Sequence, residues 1–272
     1  MLEYPSINPV LLSLGPLQVR WYGLMYVIGF TAAYLLVMHQ AKKFRWDRMF
    51  LHVDNLNLAL ILGVVLGGRL GYVLFYNPAY YWAHPTEIPA IWTGGMSFHG
   101  GFLGAFLAGF LYCRRTGLDF WKAADLYIVT VPVGLFFGRL GNFINGELYG
   151  RITNAPWAMI FPQGGPLPRH PSQLYEALLE GLILFLILWT TKAKPWQPAR
   201  SSGWPHGVML ALFLGLYGCF RFLVEFVREP DPQIGLIGSI FSMGQVLCLL
   251  MLCAGILLWL GRKTATVEQF NR

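Results

Sequence analysis

Charge is the scarcest commodity in this 272-residue sequence. Asp, Glu, Lys and Arg together make up 12% of it, about half the share of an ordinary soluble domain. A soluble globule of this length cannot clothe its surface with so few ions, and an intrinsically disordered chain would need more of them and fewer apolar residues. Cysteine is sparse as well. The four present, Cys113, Cys219, Cys248 and Cys253, stand in apolar runs without CxxC or Cys/His spacing. That excludes a disulfide framework and a zinc site built on them, and they read as small buried hydrophobes. Glycine lacks a three-residue period and heptads are missing, so neither collagen nor coiled coil applies. What is abundant is apolar: 56% of residues are hydrophobic, 16% are aromatic, and the mean hydropathy is +0.50. The natural solvent for such a chain is a bilayer, with Trp and Tyr in the interfacial belts.

Seven apolar segments stand out, near residues 19–38, 56–76, 98–113, 124–138, 173–191, 206–224 and 236–260. Stretches of about 20 residues cross a hydrocarbon core. The third and fourth are short and carry Gly100, Gly101, Gly104, Pro132, Gly134 and Gly138, which predicts broken or tilted spans. The first reads as a retained span rather than a cleaved leader. It is long, lacks an A-x-A-like site and is followed by basic residues. Alternate loops hold Lys42, Lys43, Arg45 and Arg48; Arg114, Arg115 and Lys122; Lys192, Lys194 and Arg200; and Arg262, Lys263 and Arg272. These include all six lysines. The net charge of +7 therefore has an explanation in cytoplasmic loops, and no nucleic-acid partner is expected. The expectation is an all-α integral membrane protein of about seven transmembrane helices. It would form a single polytopic domain over 1–272, with the N-terminus outside, the C-terminus cytoplasmic and a small outer cap at about 142–172.

Seven cations remain, and all are arginine: Arg20, Arg69, Arg139, Arg151, Arg169, Arg221 and Arg228. They fall in or near the spans, toward the outer side. Intramembrane charge is costly and faces a polar cavity or a partner. Arginine offers a planar, permanently charged fork that matches phosphate and carboxylate. An outer-leaflet cavity for an anionic headgroup is one reading; interfacial snorkelling and helix-tying Arg–Glu pairs are the other. If residues 216–228 are one helix, Arg221, Glu225 and Arg228 share a face at i, i+4 and i+7. Glu225 would then orient both cations, as a structural triad or toward a phosphate.

The densest polar run is Gly138-Arg139-Leu140-Gly141-Asn142-Phe143-Ile144-Asn145-Gly146-Glu147-Leu148-Tyr149-Gly150-Arg151. Exposed N–H groups, Asn amides and Arg139 could cradle an anion there; a plain turn is the alternative. It is neither a P-loop nor a dinucleotide fingerprint, because no strand precedes it. His99 opens a span beside Gly100 and Gly101, with space around a ring that takes protons near neutral pH. No second ligand stands at metal spacing, so no metal is expected. The glycine sets Gly63/Gly67/Gly71, Gly100/Gly104 and Gly134/Gly138 predict close helix packing. Tyr22 and Tyr26, one turn apart, face a cavity or belong to the aromatic belt.

Taken together, these blocks resemble the prolipoprotein diacylglyceryl transferase family. The match spans nearly the whole chain, through Trp21-Tyr22-Gly23-Leu24-Met25-Tyr26, Gly67-Gly68-Arg69-Leu70-Gly71-Tyr72, Gly95-Met96-Ser97-Phe98-His99-Gly100-Gly101, the run from Gly138 to Glu147, Arg169-His170-Pro171-Ser172-Gln173-Leu174-Tyr175-Glu176, and the Arg221/Glu225/Arg228 segment. The resemblance implies an enzyme of the bacterial inner membrane, working toward the periplasm without cofactor, metal or nucleotide. It implies transfer of the diacylglyceryl group of phosphatidylglycerol to the lipobox cysteine thiol of a preprolipoprotein signal peptide. A thioether forms and glycerol phosphate leaves. In that scheme Arg139 and Arg221 stabilise the departing phosphate, Asn142 and Glu147 order the headgroup, and His99 is the base or a positioning group. Tyr22, Glu176, Glu225, Arg228 and Gly150 are further substrate-site residues. An anion transporter is the rival from another class, and a lipid-binding scaffold a third.

Overall fold

A backbone inside a bilayer has no water to bond to, so its polar groups must be satisfied within a helix. The computed structural model follows that rule and is mostly helical. It describes residues 2–15, 17–197, 204–229, 236–237 and 241–270. Arg200 and Arg272 of the basic loops lie outside the described residues, as does the side chain of His99. A helix stands at each of the seven apolar segments. Five stretches are long and apolar enough to cross a membrane: Trp21–Lys43, Val53–Phe75, Phe120–Ile144, Ser172–Trp196 and Met243–Lys263, with Val208–Val224 as a shorter apolar helix.

The chain divides into two compact units, residues 40–123 and residues 1–39 with 124–272. In the first, helix α2 (Val53–Phe75) packs on helix α4 (Phe98–Thr116), while a short helix α3 (Pro78–Ala83) lies between them in sequence. The expected glycine seam holds for Gly63, Gly67 and Gly71 against Gly100 and Gly104, whereas a Cβ at Gly134 or Gly138, the other expected pair, would meet nothing within 4 Å. A Cβ added at Gly63 would lie 2.5 Å from the Gly104 carbonyl oxygen, and one at Gly71 would lie 2.8 Å from the Gly100 Cα. Backbone meets backbone here, and any larger residue forces the helices apart. Helix α4 is continuous rather than broken, and Ser97 caps it by accepting from the Gly100 N–H at 3.2 Å.

The second unit opens with an antiparallel hairpin, β1 (Val10–Leu14) and β2 (Leu17–Arg20), ahead of helix α1 (Trp21–Lys43). The apolar pattern gave no hint of this hairpin. Helices α5 (Phe120–Ile128) and α6 (Val131–Ile144) form one interrupted span, broken before Pro132 as expected. Next comes a long helix in three parts: α7 (Ser172–Glu176), a π-helical stretch over Ala177–Ile183, and α8 (Leu184–Thr191). Helix α9 (Val208–Val224) is fixed at its start by Asp125 of α5, whose carboxylate accepts from the N–H groups of Gly207 at 3.0 Å and Met209 at 3.1 Å. A carboxylate at that end satisfies orphan donors and the helix dipole together. Two short strands, β3 (Leu236–Ile237) and β4 (Phe241–Ser242), lead into helix α10 (Met243–Phe270).

Two expectations need correcting. Cys113 and Cys248 are buried, but Cys219 and Cys253 are exposed on their helices. In a membrane protein an apolar residue is equally at home against lipid, so hydrophobicity does not report which face is inside. Helix α9 also stops at Val224 with Glu225 as its cap. Arg228 therefore lies past the helix end, and the single-face reading of Arg221, Glu225 and Arg228 fails for its last member.

Candidate active site

The polar run from Gly138 to Arg151 ends helix α6 with a tight reversal. Gly146 takes a positive φ of 67°, the left-handed conformation that closes many helices. The N–H groups of Asn145, Gly146 and Glu147 bond back to Gly141, Phe143 and Asn142. Gly150 donates to the His170 carbonyl at 2.8 Å, and a side chain there would collide with the Val227 carbonyl and with His170. The cradle of exposed N–H groups expected from the sequence is therefore not formed by these residues, whose donors are already used. The side chains form a chain of their own. Glu147 Oε1 accepts from Asn142 Nδ2 at 2.9 Å and from Asn145 Nδ2 at 3.2 Å, and Arg139 reaches the Asn142 amide oxygen at 3.5 Å. Tyr22 of α1 lies on Gly141, where a Cβ would sit 2.8 Å from its ring. Its hydroxyl pairs with Tyr26 at 3.1 Å and also interacts with Asn142. Tyr22 thus packs against the end of α6, beside Asn142.

Behind this chain lies a buried ion cluster. Glu176 is 1% exposed and joins two cations. Its Oε2 pairs with Arg139 Nε from α6, and its Oε1 lies 3.0 Å from Arg221 Nη1 of α9. Glu180, fully buried, stands 3.7 Å from Arg221 and 3.9 Å from Arg139. Glu225 pairs with Arg221 Nη2 at 3.0 Å and accepts from the Ser242 hydroxyl at 3.0 Å. Two guanidinium groups from different helices are thereby yoked by two carboxylates, Glu176 and Glu180, while Glu225 holds Arg221 alone. Breaking such a buried pair costs about 3–5 kcal/mol because the partner charge is left uncompensated. The Glu180 oxygens, like those of Glu176, make no aligned hydrogen bond among the described residues, so both carboxylates act on the arginines chiefly through charge. The guanidinium side chains keep 18% and 11% of their surface accessible, and each carries five N–H donors.

Sequence reasoning did not single out Glu180. The signal was available: Glu176 and Glu180 are the only acids in the apolar segment 173–191, and a carboxylate in a span is a functional residue by default. The π-helical stretch that holds Glu180 is itself a feature frequent at functional sites. Gln173 assists from one turn earlier, donating to the Glu147 carbonyl at 2.6 Å.

The other arginines of the set are employed differently. Arg69 is 3% exposed and donates to the carbonyls of Glu87 at 2.8 Å, Ile88 at 2.7 Å and Gly94 at 2.5 Å. It staples the segment ahead of α4. Arg169 donates to the Gly164 and Gly150 carbonyls, pairs with Glu229 at 2.9 Å and lies over the Tyr149 ring. Arg151 donates to the Arg228 carbonyl at 2.8 Å. Arg228 joins the cap through its backbone, bridged to Gly150, and its side chain makes no ion pair among the described residues. Arg20 is exposed at the end of β2. The set of seven is therefore not one cavity lining: Arg139 and Arg221 share a cluster, whereas Arg69, Arg151 and Arg169 hold backbone. His99 stands in the first turn of α4.

Fold and site define a helical membrane protein with an Arg/Glu cluster buried between its helices. A family model described as prolipoprotein diacylglyceryl transferase matches residues 9–261, and the chain belongs to that family. It is 56% identical over 258 residues to the phosphatidylglycerol–prolipoprotein diacylglyceryl transferase of Desulfotalea psychrophila, covering 95% of this chain and 94% of that one. Proteins of the same name from Nitratidesulfovibrio vulgaris strain DP4 (53% identical, 96% of each chain) and Vibrio campbellii (54%, 94% of this chain and 91% of that one) are similarly related.

Proposed function

We infer that this chain is a diacylglyceryl transferase that moves the diacylglyceryl group of phosphatidylglycerol onto prolipoprotein, the first step of lipoprotein maturation. The acceptor is the thiol of the lipobox cysteine. Sulfur attacks the diacylglyceryl carbon, a C–S bond forms, the C–O bond to phosphate breaks, and glycerol phosphate departs. The thiol proton passes to a base, and His99 is the candidate. Thiols titrate near pH 8.5, so sulfur must be deprotonated or close to a field that favours thiolate.

The observation that carries this reading is the meeting of Arg139 and Arg221 on one carboxylate, Glu176, inside apolar helices. Charge developing on a departing phosphodiester needs fixed, preorganised cations in a site of low dielectric constant. The carboxylates supply the preorganisation: they hold two flexible side chains side by side before lipid arrives. Asn142, Glu147 and Tyr22 stand next to Arg139 and order the headgroup. Glu225 orients Arg221, while Gly150 and Arg228 contribute through the cap bound to them. The protein crosses the bacterial inner membrane seven times as a single polytopic domain. Its N-terminus and the cap at 142–172 lie on the periplasmic side, a reading supported by the grouping of all six lysines in alternate loops.

Reconstitution with phosphatidylglycerol and a lipobox peptide tests this. The peptide is expected to gain the mass of a diacylglyceryl group, and a Cys→Ser peptide to gain none. Solute flux without that gain, or lipid binding without it, would overturn the reading.

A further inference from the structure

Helices α9 and α10 run antiparallel and in close contact. A Cβ at Gly218 would lie 3.0 Å from the Cys248 carbonyl, and one at Gly255 would lie 2.9 Å from that of Ala211. Along their outer surface runs an apolar groove of 240 Å³, lined by Gly215, Leu216, Gly255, Ile256, Trp259 and Leu260 among others. Where α9 begins and α10 runs on past Trp259, the groove ends in an aromatic pair. Trp259 meets Trp204 edge to face with centroids 5.1 Å apart. Each indole carries an exposed lysine: Lys263 Nζ lies 5.3 Å from the Trp259 centroid and Lys194 Nζ 4.5 Å from that of Trp204. Arg262 fixes this end by donating to the His206 carbonyl at 2.7 Å. Trp259 thus belongs both to the groove wall and to the cationic end.

None of these residues belongs to the Arg/Glu cluster, and the combination asks for an amphipathic anion. An apolar groove on the outside of a membrane hairpin is filled by hydrocarbon. Indoles seat at the glycerol level of a lipid, and flanking ammonium groups attract a phosphodiester. A zwitterionic lipid balances its phosphate with its own cation, whereas an anionic one keeps a net negative charge for the lysines. We propose that this groove binds one acyl chain of an anionic phospholipid from the cytoplasmic leaflet, with its phosphate set between Lys194 and Lys263. The site is separate from the Arg/Glu cluster in both residues and chemistry.

The full-length protein in phosphatidylcholine nanodiscs tests this with phosphatidylserine brominated on its acyl chains. Brominated phosphatidylserine is expected to quench tryptophan emission more than brominated phosphatidylcholine, and Trp259→Phe should remove that excess. The double variant Lys194→Gln/Lys263→Gln should weaken the excess quenching about tenfold or more in lipid affinity, since each lysine near an anionic surface contributes about fivefold. Gly215→Leu should abolish it by filling the groove, because nothing lies within 4 Å of a Cβ built there. Diacylglyceryl transfer should persist in all these variants. Equal quenching by the two lipids would overturn the proposal, as would excess quenching that survives either the lysine or the glycine change. A change of oligomeric state in Gly215→Leu would assign the groove to a second copy of the chain instead.

Discussion

The cap and the buried cluster of the same unit use the same side chain in opposite ways. In the cap, Arg151 and Arg169 spend their donors largely on backbone carbonyls. In the cluster, Arg139 and Arg221 are held by carboxylates. A carbonyl-bound guanidinium keeps its net positive charge but is locked in place as a staple. A carboxylate-bound one has its field partly cancelled, yet it keeps N–H donors along an accessible edge and a geometry shared with a second cation. On the proposed function, the partner of a cation near a membrane, rather than its charge alone, decides whether it can serve as a reaction centre.

That contrast can be broken by substitution. The largest effect belongs to Arg221→Ala, which strips three carboxylates of a common partner. It should destabilise the protein by about 3–5 kcal/mol and lower transfer at least about 100-fold, read by thermal unfolding in detergent and by peptide mass gain. Glu180→Gln keeps the volume and removes one anion. It should lower kcat/KM about tenfold, the size of one charge-assisted contact, while shifting unfolding less than Arg221→Ala does. Arg169→Ala should behave in the reverse manner. It should lose about 1–3 kcal/mol of stability from orphaned carbonyls while turnover per folded molecule stays within about twofold; a collapse of turnover would erase the distinction between the two regions. The cap also contains His170, whose pKa is lowered by burial. The unfolded chain then binds the proton more readily, so cap stability is full above the ordinary histidine value of about 6.5 and falls as pH drops below it. His170→Asn should remove that slope in unfolding measured from pH 5 to 8. Smallest of all, Lys42→Gln, at the basic end of α1, should leave turnover unchanged.

Much of this was legible in the sequence, and the gaps have physical causes. Helix positions followed from apolar length, and the seam of Gly63, Gly67 and Gly71 from its spacing. Arg139, Arg221, Asn142 and Glu147 could be read as a polar group because charge in a span demands a partner. The destinations of Arg69, Arg151 and Arg169 could not, because a backbone carbonyl has no sequence signature. The i, i+4, i+7 reading assumed a helix through Arg228, but α9 ends at Val224 and redirects that side chain. Glu180 was passed over because its partners come from two other helices, although its place one turn beyond Glu176 was visible.

The proposed function rests on two forked cations, preset by shared carboxylates, meeting the lipid phosphate. Arg139→Lys tests it most directly, since lysine retains the charge but has neither the fork nor the reach to Glu176 and Asn142 together. Turnover of phosphatidylglycerol to a lipobox peptide should fall at least about tenfold with the protein still folded. Turnover equal to that of the unaltered protein would contradict the claim.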